Sequence, residues 1–285
     1  MKRITRCCSA ALTVALGLIV GSAAAMAQAP ARQDVLQMAR PIEALDNVWI
    51  EELTMMEVRD ALKAGKTSAL ILTGGIEQNG PYLTTGKHNH VLRVTGESIA
   101  RRLGNALVAP IVTLKPGDPE SIPAPGTIHL SRETYAGLLR DMATSLKSQG
   151  FRDIFVLGDS RSNQIPMQEV TEELTAKWRG GTTRIYFIPE YYNYDQVETF
   201  MHDVLGIVEV PEGIHDDYAI TSIITNDNPQ HVRFPQRVKA GKASINGVSL
   251  VPLEKTIRYG RQIVEFRTDA AVNAIRKAMA GAGRN

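Results

Sequence analysis

Apolar residues along this chain fall into short unbroken runs separated by longer stretches with helical spacing. Ser68-Ala69-Leu70-Ile71-Leu72, Ala106 to Val112, Ile154-Phe155-Val156-Leu157 and Arg184 to Ile188 read as buried strands. Between them, Val91, Val94, Ile99 and Leu103 predict a helix over 91–103 that stops at Gly104. Tyr135, Leu138, Leu139, Met142 and Leu146 predict another from Ser131 to Gly150, and Met167, Val170 and Leu174 mark a third. Upstream, Thr54 and Glu57 have capping-box spacing, and Met56, Val58 and Leu62 give that helix its apolar face before Gly65. Ile220, Ile223 and Ile224 follow a polar opening at 213–217, and apolar positions from Ile257 to Ile275 predict a closing helix over 256–280. Strands alternating with helix-length crossovers predict an α/β fold: a three-layer α/β/α sandwich with a largely parallel central sheet. No linker or repeat appears past residue 40, so 28–285 reads as one domain.

Residues 1–27 have a different pattern. Lys2, Arg3 and Arg6 precede an apolar stretch from Ala10 to Ala25, and Ala25-Met26-Ala27 forms a cleavage site. This is the pattern of a secretory signal peptide and predicts export, to the periplasm. Gly17, Gly21 and Ser22 interrupt the stretch and disfavour a membrane anchor. Both cysteines, Cys7 and Cys8, lie in the segment to be removed, which excludes thiolate catalysis and zinc–cysteine sites in the mature chain. Of 32 Lys+Arg and 30 Asp+Glu, three basic residues belong to that segment, which leaves 29 against 30. With no basic stripe interleaved with aromatics, nucleic acid is not a predicted partner, and no second apolar run is long enough to span a bilayer.

The densest candidate chemistry follows the first strand. The segment from Gly74 to His90 packs Glu77, Asn79, Lys87, His88 and His90 into a Gly/Pro-rich loop. In parallel α/β sheets such loops carry the functional groups. Asp159, Ser160, Arg161 and Ser162 follow the third strand, and His215, Asp216 and Asp217 precede a helix. Converging carboxylates and imidazoles could hold a divalent ion. Each residue also has a simpler role. Glu77 could cap the loop or pair with Lys87, and Asp159, Asp216 and Asp217 could cap helices. Arg161 could pair with Glu169. His90, His129, His202 and His231 read as surface or packing residues.

Four stretches resemble the creatininase (creatinine amidohydrolase) family. They are Gly75-Ile76-Glu77-Gln78-Asn79-Gly80-Pro81-Tyr82-Leu83, Pro125-Gly126-Thr127-Ile128, the run from Gly150 to Gln164, and His215 to Ser222. They cover roughly residues 45 to 230. The resemblance implies a metal-dependent hydrolase of amide C–N bonds with a dinuclear Zn or Mn site, a small amide substrate and a homo-oligomer of the hexameric kind. Carried over, the family's first glutamate ligand falls on Glu77, its Glu-Gln-His-Gly histidine on Asn79 and its bridging aspartate on His88. The histidine of its Asn-Gly-His-Gly-Gly loop falls on Ser160, a second ligand on Ser162, and a later catalytic histidine on His215.

Three ligand positions therefore hold poor ligands. The expectation is one divalent ion at most, held by Glu77 and His88 and completed by Asp159 or Asp217, with no ion as the alternative. His215 is the candidate general base or proton shuttle, and Lys87 and Arg161 are candidates to stabilise an oxyanion. The rival reading, motivated by Ser160 and Ser162, is a degenerate family member that binds or scaffolds in the periplasm.

Overall fold

Four strands form the central sheet, in the order β2-β1-β5-β6 and parallel throughout. They are β1 (Ser68–Thr73), β2 (Ala106–Val108), β5 (Asp153–Gly158) and β6 (Arg184–Phe187). The structure, a computed structural model, describes residues 36–282, and the residues from Arg40 onward form one unit. The expected leader, with Cys7 and Cys8, lies outside the described residues.

Alternation along the two inner strands sorts the core into layers. Ala69 and Ile71 of β1 and Ile154 and Val156 of β5 face one helical layer. That layer is α3 (Arg132–Gln149) and α4 (Gln164–Lys177), joined by α1 (Met55–Lys63). Leu70, Leu72, Phe155 and Leu157 face the other, formed by α2 (Lys87–Leu103) and α8 (Leu253–Ala282). Both faces of the sheet are covered, so the strands read as continuous apolar runs. Each fully buried Leu or Ile there contributes about 1.5–3 kcal/mol.

A third apolar cluster lies beyond the sheet. It joins α5 (Tyr194–Asp203), α6 (Tyr218–Asp227) and the first half of α8. Where α8 crosses α6, a Cβ at Gly260 would overlap the Ser222 carbonyl, so only glycine permits that approach.

The expected boundaries hold at most caps. Thr54 accepts from Glu57 N at 3.3 Å, and Glu57 Oε2 accepts from Thr54 N at 2.7 Å, completing the capping box. Ser131 caps α3, and Gly150 ends it at φ 102°. Two boundaries differ. β2 stops at Val108 because Pro110 has no N–H to continue the ladder, and Val112 rejoins β1 by a single bridge to Thr73. α2 starts at Lys87 rather than Val91, which puts Lys87, His88 and His90 on a helical turn instead of a loop. The pattern also gave no warning of α5, α7 (Phe234–Lys239) or the two-stranded pairs β3/β4 (Lys115–Pro116 with His129–Leu130) and β7/β8 (Ser244–Ile245 with Val248–Ser249). Among the described residues, no helix is long and apolar enough to cross a membrane.

Candidate active site

β1 and β5 are neighbours with Thr73 opposite Gly158, so the loops that follow them leave the sheet side by side. Asp159 N donates to Thr73 O at 2.9 Å. The Asn163 amide donates to Thr73 O at 2.9 Å and to Gly74 O at 2.8 Å, tying the two loops together. Asn89, in the first turn of α2, accepts from Gly75 N at 3.1 Å and draws that helix start against the first loop.

This scaffold lines up a chain of alternating charges. Glu77 Oε1 lies 2.7 Å from His88 Nε2, and His88 Nδ1 lies 2.9 Å from Asp159 Oδ2. Arg267 Nη2 donates to Asp159 Oδ1 at 2.8 Å, and Tyr194 Oη donates to the same carboxylate at 2.9 Å. At the other end Lys115 pairs with Glu77 Oε2. Arg267 is fully buried between the rings of Tyr191 and Tyr194, 4.5 and 4.6 Å from their centroids.

The pKa shifts follow from this order. Burial raises the Glu77 carboxyl, but the His88 hydrogen bond and charge, reinforced by Lys115, hold it well below its usual value. Burial likewise opposes ionisation of Asp159, and the Arg267 charge and His88 hydrogen bond outweigh it. His88 is disfavoured as a cation by burial, yet its hydrogen bonds to Asp159 and Glu77 raise its pKa. Both ring nitrogens face carboxylates, an arrangement that favours a proton on each.

Sequence and fold comparisons agree with this architecture. Residues 51–285 match the creatininase family, described as creatinine amidohydrolase. The chain belongs to the creatininase family. Its members are metal-dependent amidohydrolases. Similar solved structures include a glutamate-to-glutamine mutant creatininase complexed with creatine, at TM-score 0.61 and 18% identity over 81% of this chain and 98% of that one. "Creatininase Mn" has TM-score 0.60 and 18% identity over 81% and 98%. A putative creatinine amidohydrolase from Bacteroides fragilis NCTC 9343 has TM-score 0.53 and 17% identity over 81% and 97%. At these identities the likeness is one of fold. None of the curated proteins compared matches the chain.

Against the creatininase pattern, the donors here do not fit an ion at Glu77. His88 separates Glu77 from Asp159, which lie against opposite nitrogens of its ring, so the three do not converge on one ion. Both Glu77 oxygens and both Asp159 oxygens already face protein cations. Asp217, the other expected ligand, caps α6 by accepting from Ile220 N at 2.6 Å, the simpler of its two roles. Ser160 and Ser162 hydroxyls lie 3.3 Å apart, bonded to each other, and the Asn79 amide donates to Thr84 O at 2.9 Å.

The remaining candidates divide. His215 comes to the Glu77 edge, with Nε2 3.9 Å from Glu77 Oε1. Its Nδ1 is 3.2 Å from the Gln78 carbonyl, which only accepts. The proton therefore sits on Nδ1, and Nε2 keeps its lone pair when the ring is neutral. Lys87 Nζ is 3.8 Å from Glu77 Oε1 and donates to His215 O at 3.2 Å. Burial lowers its pKa against the pull of Asp217 and Glu77. Arg161 is exposed and lies beside Tyr192, while Glu169 pairs with Arg132. Asp216 is buried and caps no helix, and its carboxylate oxygens have no hydrogen-bond partner among the described residues.

Lys115, Arg267 and Tyr194 were not candidates from the sequence. A signal existed for one of them: Arg267 falls four residues after Ile263 and four before Ala271, on the apolar stripe of α8. A charged group at a core register needs a buried partner.

Proposed function

We propose that this chain is an exported amidohydrolase that cleaves a C–N bond in a small amide or cyclic amide, using its own cations where the family's ions act. The observation that carries the reading is the convergence on Glu77 Oε1. The His215 lone pair and the Lys87 ammonium stand 3.9 and 3.8 Å from it, too far for direct hydrogen bonds and close enough to share a water molecule or a substrate oxygen. In this reading Glu77 and His215 position a water, and His215 Nε2 takes its proton as the oxygen attacks the carbonyl carbon. Lys87 stabilises the developing oxyanion. As the C–N bond breaks, His215 returns the proton to the leaving nitrogen. His88, Asp159 and Arg267 hold Glu77 ionised and fixed. Family membership supports the reaction class, and the leader pattern of residues 1–27 supports export.

A panel of lactams, hydantoins and other small cyclic amides, followed by chromatography, tests the reading. The expected outcome is turnover that survives chelator treatment and falls by about 100-fold or more in kcat/KM in His215→Ala and Lys87→Met. Turnover lost with chelator and restored by Zn or Mn would overturn the metal-free mechanism. Absence of turnover across the panel, together with saturable binding, would favour the binding-module reading that Ser160 and Ser162 motivate. Amino-terminal sequencing of the periplasmic fraction checks cleavage after Ala27.

A further inference from the structure

On the opposite side of the α2 start lies a second cluster that the reaction does not use. His90 projects from the first turn of α2, Asp227 ends α6, and His231 follows in the 3-10 turn Pro229–Val232. The two imidazoles are stacked, with centroids 3.6 Å apart and planes at 21°. Asp227 Oδ2 lies 3.3 Å from His90 Nδ1 and 3.0 Å from His231 Nδ1. The three ligating atoms lie within 4.8 Å of one another. His231 Nδ1 is buried, yet it makes no geometrically sound hydrogen bond despite its short separation from the carboxylate.

We propose that His90, Asp227 and His231 form a binding site for one transition-metal ion of the Zn, Co, Ni or Cu class, separate from the Glu77 centre. Donor geometry supports this. Ligands about 2.0–2.1 Å from a tetrahedral ion stand roughly 3.3 Å apart, matching the two imidazole–carboxylate separations. Two nitrogens and one oxygen select borderline metals over Mg and Ca, which take all-oxygen shells. The three side chains retain 26, 26 and 22% exposure, so an ion can enter and keep a water in its fourth position. Binding opens the ring stack and gives the orphaned His231 nitrogen a partner. It also links α2, α6 and the 3-10 turn. Thr84 N donates to His231 O at 3.0 Å and Glu77 N to Thr85 O at 2.9 Å, so the ion braces the loop that carries Glu77.

The test is titration of purified, chelator-stripped protein with Zn and, in parallel, Mg, by calorimetry, with Co as a visible-absorption probe. The expected result is one Zn per chain, no Mg binding, and a tetrahedral Co spectrum. His90→Ala and His231→Asn should weaken Zn binding by at least about 10- to 100-fold, while Glu77→Gln leaves it unchanged. Far-UV dichroism and melting without metal confirm that each variant is folded. Zn binding that survives loss of both imidazoles, binding that disappears in Glu77→Gln, or no binding to the parent protein overturns the proposal. Because the readout is occupancy, it stands or falls independently of turnover.

Discussion

Two groups of wholly or partly buried carboxylates lie in this fold, and their environments drive them in opposite directions. Glu77 and Asp159 alternate with Lys115, His88 and Arg267, and their pKa values fall. Glu209 and Asp216 line a cavity of about 340 Å³ together with Asp217, Glu198 and Asp195. Burial, aided by the Asp217 charge, lifts Glu209 to about 7, and burial lifts Asp216 to about 6 despite Arg237 and Lys87 nearby. Burial alone does not set the state of a carboxyl; the count and placement of cations decide it. Positive charge supplied by the chain itself is what holds Glu77 and Asp159 ionised.

The largest effect should come from removing that charge. Arg267→Leu takes the guanidinium from buried Asp159, leaving only His88 and Tyr194 against it, and should cost about 3–5 kcal/mol of unfolding free energy in a denaturant titration. A loss below about 1 kcal/mol would mean that the compensated chain does not need its terminal cation.

The second prediction uses pH. His88 has a raised folded pKa, so its stabilisation is complete below the unfolded value and is lost as pH rises through the folded one. Glu209 and Asp216 act in the same direction, because they hold protons in the folded state that the unfolded chain has already released. Glu77 and Asp159 stabilise above the ordinary carboxylate range, and that contribution is lost below it. Melting temperature should thus peak between about pH 4.5 and 6.5 and decline toward pH 8. Glu209→Gln should recover on the order of 1–2 kcal/mol at pH 8 and change little at pH 5.

Two smaller substitutions calibrate these. Thr54→Ala removes the capping box and should cost about 1 kcal/mol by thermal denaturation. Arg132→Ala breaks an exposed pair with Glu169 and should stay within about 0.5 kcal/mol. If the surface pair matched Arg267 in effect, the contrast between compensated and uncompensated charge would lose its meaning.

What was legible in the sequence was what local pattern encodes. β1 and β5 announce themselves because both their faces are covered, and α1 and α3 because Thr54 and Ser131 cap them. Glu77 and His88 were legible as facing one another, since the loop and helix start that carry them are adjacent in the chain. Their partners were not. Asp159 and Arg267 meet across 108 residues, and Lys115 reaches Glu77 across 38, with no local spacing to record either contact. The start of α2 was missed because Lys87, His88 and His90 are polar, whereas tertiary contacts bury Lys87 and His88. Asp217 was open between cap and ligand because one residue type serves both, and only its bond to Ile220 N separates them.

The position of Arg267 near the carboxyl end also orders events in time. While the chain emerges from the ribosome, the sheet strands and Asp159 are made well before the guanidinium that neutralises them. The site becomes electrically whole only when the last long helix docks, so a nascent chain halted short of that point holds an interior carboxylate offset by His88 alone. Such arrested chains should remain accessible to proteases around the 159–164 turn until the final segment is released.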